Sequence, residues 1–181
     1  MKSIIKKSFF ALCALVMFPF SLLSSFSQLL SLIPGKLGCY LRSGFYRFVM
    51  TSCAPNVLIG FATLFSQQDT EIDEGVYIGP QCNIGKCAIG KNTLLGSGVH
   101  IMSGKGQHNF SDPEKPIKDQ GGVFTKVIIG ENCWLGNGAL IMANVGKGSI
   151  VAAGSVVVDD VPAGVVVGGN PAKVLRALDS K

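Results

Sequence analysis

Residues 129–157 read IGENCWLGNGALIMANVGKGSIVAAGSVV, and a single period runs through them. Ile129, Leu135 and Ile141 stand six apart, and after a step of four Val145, Val151 and Val157 repeat the spacing. Upstream the same ladder appears as Ile72, Ile78 and Ile84 and, after a step of five, as Ile89, Leu95 and Ile101. Glycine follows the aliphatic residue at Ile59, Ile78, Ile84, Ile89, Leu95, Ile129, Leu135 and Val145, where a tight corner is needed. One inward aliphatic residue in every six describes a triangular prism. Three short strands and three turns make a coil of about eighteen residues, and coils stack through parallel hydrogen bonds about 4.8 Å apart. A single coil cannot bury itself, so stacking is compulsory. A sheet alternating with helices is disfavoured, because residues 57–102 leave no room for crossover helices.

Two stretches break the period. Residues 103–126, SGKGQHNFSDPEKPIKDQGGVFTK, cannot continue the coils and must leave the prism as a loop. Its ends are held close by the coils on both sides, which favours a functional loop over a linker. Beyond Val157, Asp159, Asp160 and Pro162 end the repeat. Val165 to Val167 reads as a short strand, Asn170-Pro171 as a turn, and residues 172–178 as a short helix that caps the stack.

The start of the chain has another character. No charged residue occurs from Ser8 to Gly35, a run long enough to cross a hydrocarbon core, with Pro19 predicting a kink. A retained membrane segment, a signal peptide and a buried helix all fit this run. In residues 37–50, helical spacing puts Leu37, Tyr40, Leu41, Phe45, Phe48 and Val49 on one face and Arg42, Ser43, Tyr46 and Arg47 on the other. Such a helix suits a lipid interface or the end of the prism. The division expected is a membrane-associating helical segment over residues 1–50, the repeat domain over 51–176 and a tail over 177–181.

Composition removes several classes. A net charge of +5, only 15% charged residues and no dense Lys/Arg cluster argue against a nucleic-acid partner. The 23 glycines follow no collagen period. Six cysteines without a CxxC pair read as free thiols used as small hydrophobes. Two histidines leave little for a metal site, so no metal is expected.

The repeat, the run from Ile129 to Arg176 that ends GGNPAKVLR, and the histidine in the loop resemble the hexapeptide-repeat O-acyltransferases. These include sugar acetyltransferases and membrane-associated enzymes that modify exopolysaccharide. The resemblance covers about residues 57–176. It implies an all-β, left-handed parallel β-helix, assembled as a homotrimer with active sites between subunits. It also implies acetyl-CoA as co-substrate and a sugar, polysaccharide or lipid-linked glycan hydroxyl as acceptor. By the same resemblance His108 is the general base, a task that suits neutral imidazole. Asn83 and His100 would line the acceptor site, Asp112 would orient the imidazole or hold the loop, and Trp134 would flank acceptor and acetyl-CoA. Gly136 and Gly154 would let the pantetheine arm approach, and Lys173 and Arg176 would meet the CoA phosphates. Acetyl-CoA is cytosolic, so the expected location is the cytoplasmic face of the membrane, attached through residues 4–50. One departure is the loop motif, SGKGQHNFSD where sugar acetyltransferases carry Thr-x-x-His-Pro. A non-catalytic scaffold is the competing reading. A γ-type carbonic anhydrase is disfavoured because His100 and His108 cannot supply three histidine ligands.

Overall fold

The computed structural model describes residues 23–178. From Ser52 the chain winds as a left-handed parallel β-helix of triangular section. The first face holds β1 (Ser52–Cys53), β4 (Glu71–Ile72), β7 (Cys87–Ile89) and β10 (Val127–Ile129). The second holds β2 (Leu58–Ile59), β5 (Tyr77–Ile78), β8 (Leu94–Leu95), β11 (Trp134–Leu135), β13 (Ile150–Val151) and β15 (Val165–Gly169), with β16 (Ala172–Ala177) on its last edge. The third holds β3 (Leu64–Phe65), β6 (Asn83–Ile84), β9 (His100–Ile101), β12 (Leu140–Ile141) and β14 (Val156–Val157). Like stacks on like: Ile59 pairs with Ile78, Ile78 with Leu95, Leu95 with Leu135 and Leu135 with Val151.

The aliphatic ladder is the core. From Ile72 to Val157 no residue of the period is more than 2% exposed. The odd steps in the sequence all fall on one corner, between the third face and the first. There Ile84 is followed by Ile89, Ile101 by Ile129 and Ile141 by Val145, while Ile129, Val145 and Val161 still stack in register. Loop 103–126 is therefore the largest insertion at the one corner whose length varies.

The corner between the second and third faces is uniform. Ala62, Gln81, Gly98, Gly138 and Gly154 all sit there at positive φ. The amides of Gln81, Gly98, Gly138 and Gly154 each donate to the corner below, at 2.8–2.9 Å. Just inside the corners, small side chains bond to the neighbouring coil. Thr63 donates to Gly79 O at 2.8 Å, Cys82 to Gly96 O at 3.2 Å, Thr93 to Gly130 O at 2.8 Å and Cys133 to Gly146 O at 3.2 Å. Cysteine is thus a thiol substitute for threonine at these positions. Cys39, Cys53, Cys82, Cys87 and Cys133 are all free.

The helices α1 (Leu23–Ser31) and α2 (Gly35–Val49) close the first coil. The face that packs is not the one expected from apolar spacing alone: Phe45 and Val49 do lie against the core, but most of the burial falls on the other side. Arg42, Ser43 and Tyr46 are buried against the prism, while Leu37, Tyr40 and Phe48 are exposed. The open end of a β-helix presents backbone carbonyls that need donors, and polar side chains supply them. Ser43 Oγ donates to Val57 O at 2.8 Å, and Arg42 Nε donates to Ile59 O at 3.0 Å. Tyr46 packs on Phe65 with ring centroids 4.4 Å apart, and its hydroxyl lies 2.5 Å from Ser27 Oγ.

Two expectations are corrected here. Of the segment assigned to membrane attachment, residues 23–49 pack as a lid on the prism, and no helix among the described residues is long and apolar enough to cross a membrane. The location at a membrane face therefore falls; residues 1–22 of that segment lie outside the described residues. The capping helix over 172–178 is instead the strand β16, antiparallel to β15 after a cis Asn170-Pro171 bond. The last coil ends in an open strand edge whose amides and carbonyls a strand can pair and a helix cannot.

Burial of three protonated groups fixes an alkaline limit. It pushes the Tyr46 hydroxyl up to about 12, and burial likewise pushes the Cys53 thiol up to about 11 and the Cys87 thiol up to about 12. Each group keeps its proton in the fold at pH values where the unfolded chain has lost it. Stability is then fully present below pH 8–9 and falls as pH rises through 12. Tyr46→Phe should flatten the fall of melting temperature above pH 10, removing about 2–3 kcal/mol of it as pH nears 12. Thermal unfolding at pH 8, 10 and 11.5 measures this.

Candidate active site at the loop corner

The loop leaves after β9 and returns before β10, so it springs from the corner between the third and first faces. Its arms form a ribbon. Thr125 N donates to Ser103 O at 2.9 Å, Val123 N to Gly106 O at 2.7 Å and Asn109 N to Gly121 O at 2.8 Å. His108 lies on the outgoing arm beside the last rung and is exposed. The tip is tied by Gln120, whose Nε2 donates to Asp112 O at 2.8 Å and Lys115 O at 2.7 Å and whose Oε1 accepts from Asp112 N at 3.1 Å. Asp112 Oδ1 accepts from Glu114 N at 3.0 Å. Its carboxylate thus takes part in the turn at the loop tip.

The other candidates fall into separate groups. Asn83 and His100 are cross-strand partners on the third face, both exposed, beside the corner from which the loop rises. Trp134 is on the second face, half-exposed between Leu94 and Ile150. In a triangular prism that face lies opposite the loop's corner, so within one chain the loop root and Trp134 do not meet. Trp134 continues a stripe of exposed apolar residues on the same face, Leu58, Tyr77 and Leu94. Gly136 is explained by coil packing: a Cβ there would stand 2.5 Å from Ala153 N. At Gly154 a Cβ would meet nothing within 4 Å, so that corner is open to a ligand. Lys173 and Arg176 are exposed on β16.

Sequence reasoning missed a cleft of about 560 Å³ under the loop, lined in part by Gly104, Lys105, Thr125, Met142, Asn144 and Asp159. It also missed the charges that root the loop. Lys126 Nζ reaches Asp69 Oδ1 at 2.5 Å and Glu71 Oε1 at 2.6 Å, and Lys86 Nζ reaches Asp69 Oδ2 at 2.9 Å. The signal was present, since Asp69, Lys86 and Lys126 occupy the same corner on successive coils. Among the described residues no group of three or more His, Cys, Asp or Glu side chains could hold a metal ion.

No protein-family model matches the chain. Over 59 residues it is 56% identical to a 2,3,4,5-tetrahydropyridine-2,6-dicarboxylate N-acetyltransferase of Clostridium perfringens, a match covering 32% of this chain and 25% of that enzyme. The chain thus spans about a quarter of the length of the curated relatives it matches first. A hexapeptide-repeat containing acetyltransferase of Vibrio cholerae superposes with a TM-score of 0.66 at 23% identity, over 87% of this chain and 92% of that one. The same protein solved with acetyl coenzyme A gives 0.63 at 20% identity, over 87% and 88%. A maltose O-acetyltransferase of Clostridium difficile gives 0.65 at 18% identity, over 87% and 85%. The chain therefore has the left-handed β-helix fold of the hexapeptide-repeat acyltransferases, with the loop that interrupts its coils still to be given a task.

Proposed function

We propose that the chain is an acetyl-CoA-dependent O-acetyltransferase acting on a hydroxyl of a sugar or glycan, as a homotrimer with its sites between subunits. One observation carries this reading. The loop bearing His108 and the face bearing Trp134 lie on opposite sides of one prism, and copies standing side by side would bring them together. The apolar stripe of Leu58, Tyr77, Leu94 and Trp134 is a surface such a neighbour can cover.

The chemistry follows from the residues. Neutral His108 takes the proton of the acceptor hydroxyl, and the oxygen attacks the thioester carbonyl. The tetrahedral intermediate collapses with expulsion of the CoA thiolate, which recovers the proton from the imidazolium. Asn83 and His100 hold neighbouring acceptor hydroxyls. Trp134 packs along the acyl-CoA, the open corner at Gly154 admits its pantetheine arm, and Lys173 and Arg176 pair with its phosphates. The relatives' names include both O- and N-acetyltransferases, and the same base serves an amine acceptor.

The test incubates the full chain with labelled acetyl-CoA and neutral or amino sugars, with free CoA measured in parallel. Label in a neutral sugar supports the proposal, and label in amino sugars alone moves the acceptor to nitrogen. No label in either sugar and no release of free CoA favours the scaffold.

A further inference from the structure

The loop is fastened by charge on both arms, and unequally. The outgoing arm has one exposed pair, Lys105 Nζ to Asp159 Oδ1 at 3.2 Å, with side chains 55% and 71% exposed. The return arm ends in the Lys126 cluster, where Lys126 is 24% exposed and meets two carboxylates at 2.5 and 2.6 Å. The cluster sits where the coil after the loop must land on the coil before it. Val127 pairs with Cys87 at that seam, and Glu71 with Ala88 one coil down. Lys86 and Lys126 are like charges on adjacent coils, and the oxygens of Asp69 separate them.

We infer that Lys126, gripped by Asp69 and Glu71, is a positioning residue that sets the angle at which the loop leaves the prism and so where His108 is presented. This rests on the proposed role of His108. The lever is long: five residues from Ser103 to His108 reach roughly 17 Å at about 3.3 Å each. A turn of about 10° at the root moves the imidazole by about 3 Å, and a misplacement of about 1 Å already costs about a hundredfold in rate. The Lys105 pair cannot set this angle, because it is single, exposed and open to exchange with water.

The cluster is built to persist. The hydrogen bonds from Lys126 first, then Lys86, hold the Asp69 carboxyl at about 2. A lowered value means that the fastening is complete above the usual carboxylate range and is released only as pH falls toward 2.

Two measurements test the inference, one without any assay of transfer. In Lys126→Met, amide exchange at Asn109, Val123 and Thr125 should speed up about tenfold or more, with exchange at Leu95 and Leu135 unchanged. Lys105→Met should leave the ribbon's exchange within about threefold of the parent. In transfer assays Lys126→Met should lower kcat about ten- to a hundredfold with KM for acetyl-CoA within about threefold, and Lys126→Arg should restore kcat to within about threefold. Unchanged exchange in Lys126→Met overturns the inference, as does a kcat loss that arginine fails to rescue. A parent chain that transfers nothing defeats the functional proposal, while the exchange comparison still decides whether Lys126 fixes the loop.

Discussion

Replacing Arg42 by alanine should lower the stability of the chain by about 3–5 kcal/mol, a fall in melting temperature on the order of 10 °C or more. Arg42 is fully buried, and its partners are four carbonyls and the Cys39 sulfur rather than an acid. Nη1 donates to Leu30 O and Ile33 O at 2.9 Å and to Ser31 O at 3.3 Å, and Nε reaches Ile59 O. The first three carbonyls belong to the end of α1 and the turn after it, where unpaired carbonyls concentrate negative potential. The fourth belongs to the first coil. One guanidinium therefore caps a helix and joins it to the prism. Gly38 makes room for it, since a Cβ there would stand 2.8 Å from Arg42 Nη1 and closer still to Ile33 O. Alanine leaves buried carbonyls without donors, at about 1–3 kcal/mol for each that water cannot reach. Arg42→Lys should retain about half the stability, because an ammonium cannot span both directions of the fork. Circular dichroism during heating should show helix lost ahead of strand in Arg42→Ala. A melting temperature within about 2 °C of the parent contradicts this account of the cap.

The largest effect on activity is expected at His108. His108→Ala should reduce kcat about 10²- to 10⁴-fold, the range that a positioned general base contributes, with acetyl-CoA affinity unchanged because the loop makes no use of its side chain to fold. Around it on the arm, Gly106 and Asn109 are placed by backbone rungs, and Asn109 Nδ2 donates to Gln120 O at 3.2 Å. His100→Ala should cost far less, about tenfold or under, and mainly in KM for the acceptor, because His100 sits on the wall beside Asn83. The comparison is made by steady-state kinetics with free CoA as the readout. Equal losses in the two variants would remove the distinction between base and wall.

The prism was legible because its physics is a strict period. Ile78, Leu95, Leu135 and Val151 stack in turn on one face, each meeting the next, and they lie inside one core. The loop was legible for the complementary reason: in 103–126 no aliphatic residue is followed by glycine, and prolines and charges surround the few apolar residues such as Ile117 and Val123. The faces of α2 were not. Helical spacing separates Leu37, Tyr40 and Phe48 from Arg42, Ser43 and Tyr46, but it does not say which set meets the prism. Here the prism's end offered carbonyls, so Arg42 and Ser43 turned inward beside Phe45 and Val49. The tail failed through propensity: Ala172, Lys173, Leu175 and Arg176 favour a helix, and the open edge of β15 outweighed that preference. For the candidate site, the sequence offers residues such as His108 and Trp134 as expectations, and the structure adds where they stand. Of the partners that hold the loop, Asp69 and Lys126 are found by aligning one corner of successive coils, while Gln120 shows only in the folded loop tip.

The claim that the site is shared between copies can be tested with two crippled chains. His108→Ala and Trp134→Ala chains, carrying different affinity tags, are co-expressed, and mixed trimers are isolated through both tags. In such a trimer one interface in three joins an intact loop to an intact Trp134 face, so activity should return to about one third of the parent value. Activity no greater than that of the two variants alone contradicts the account.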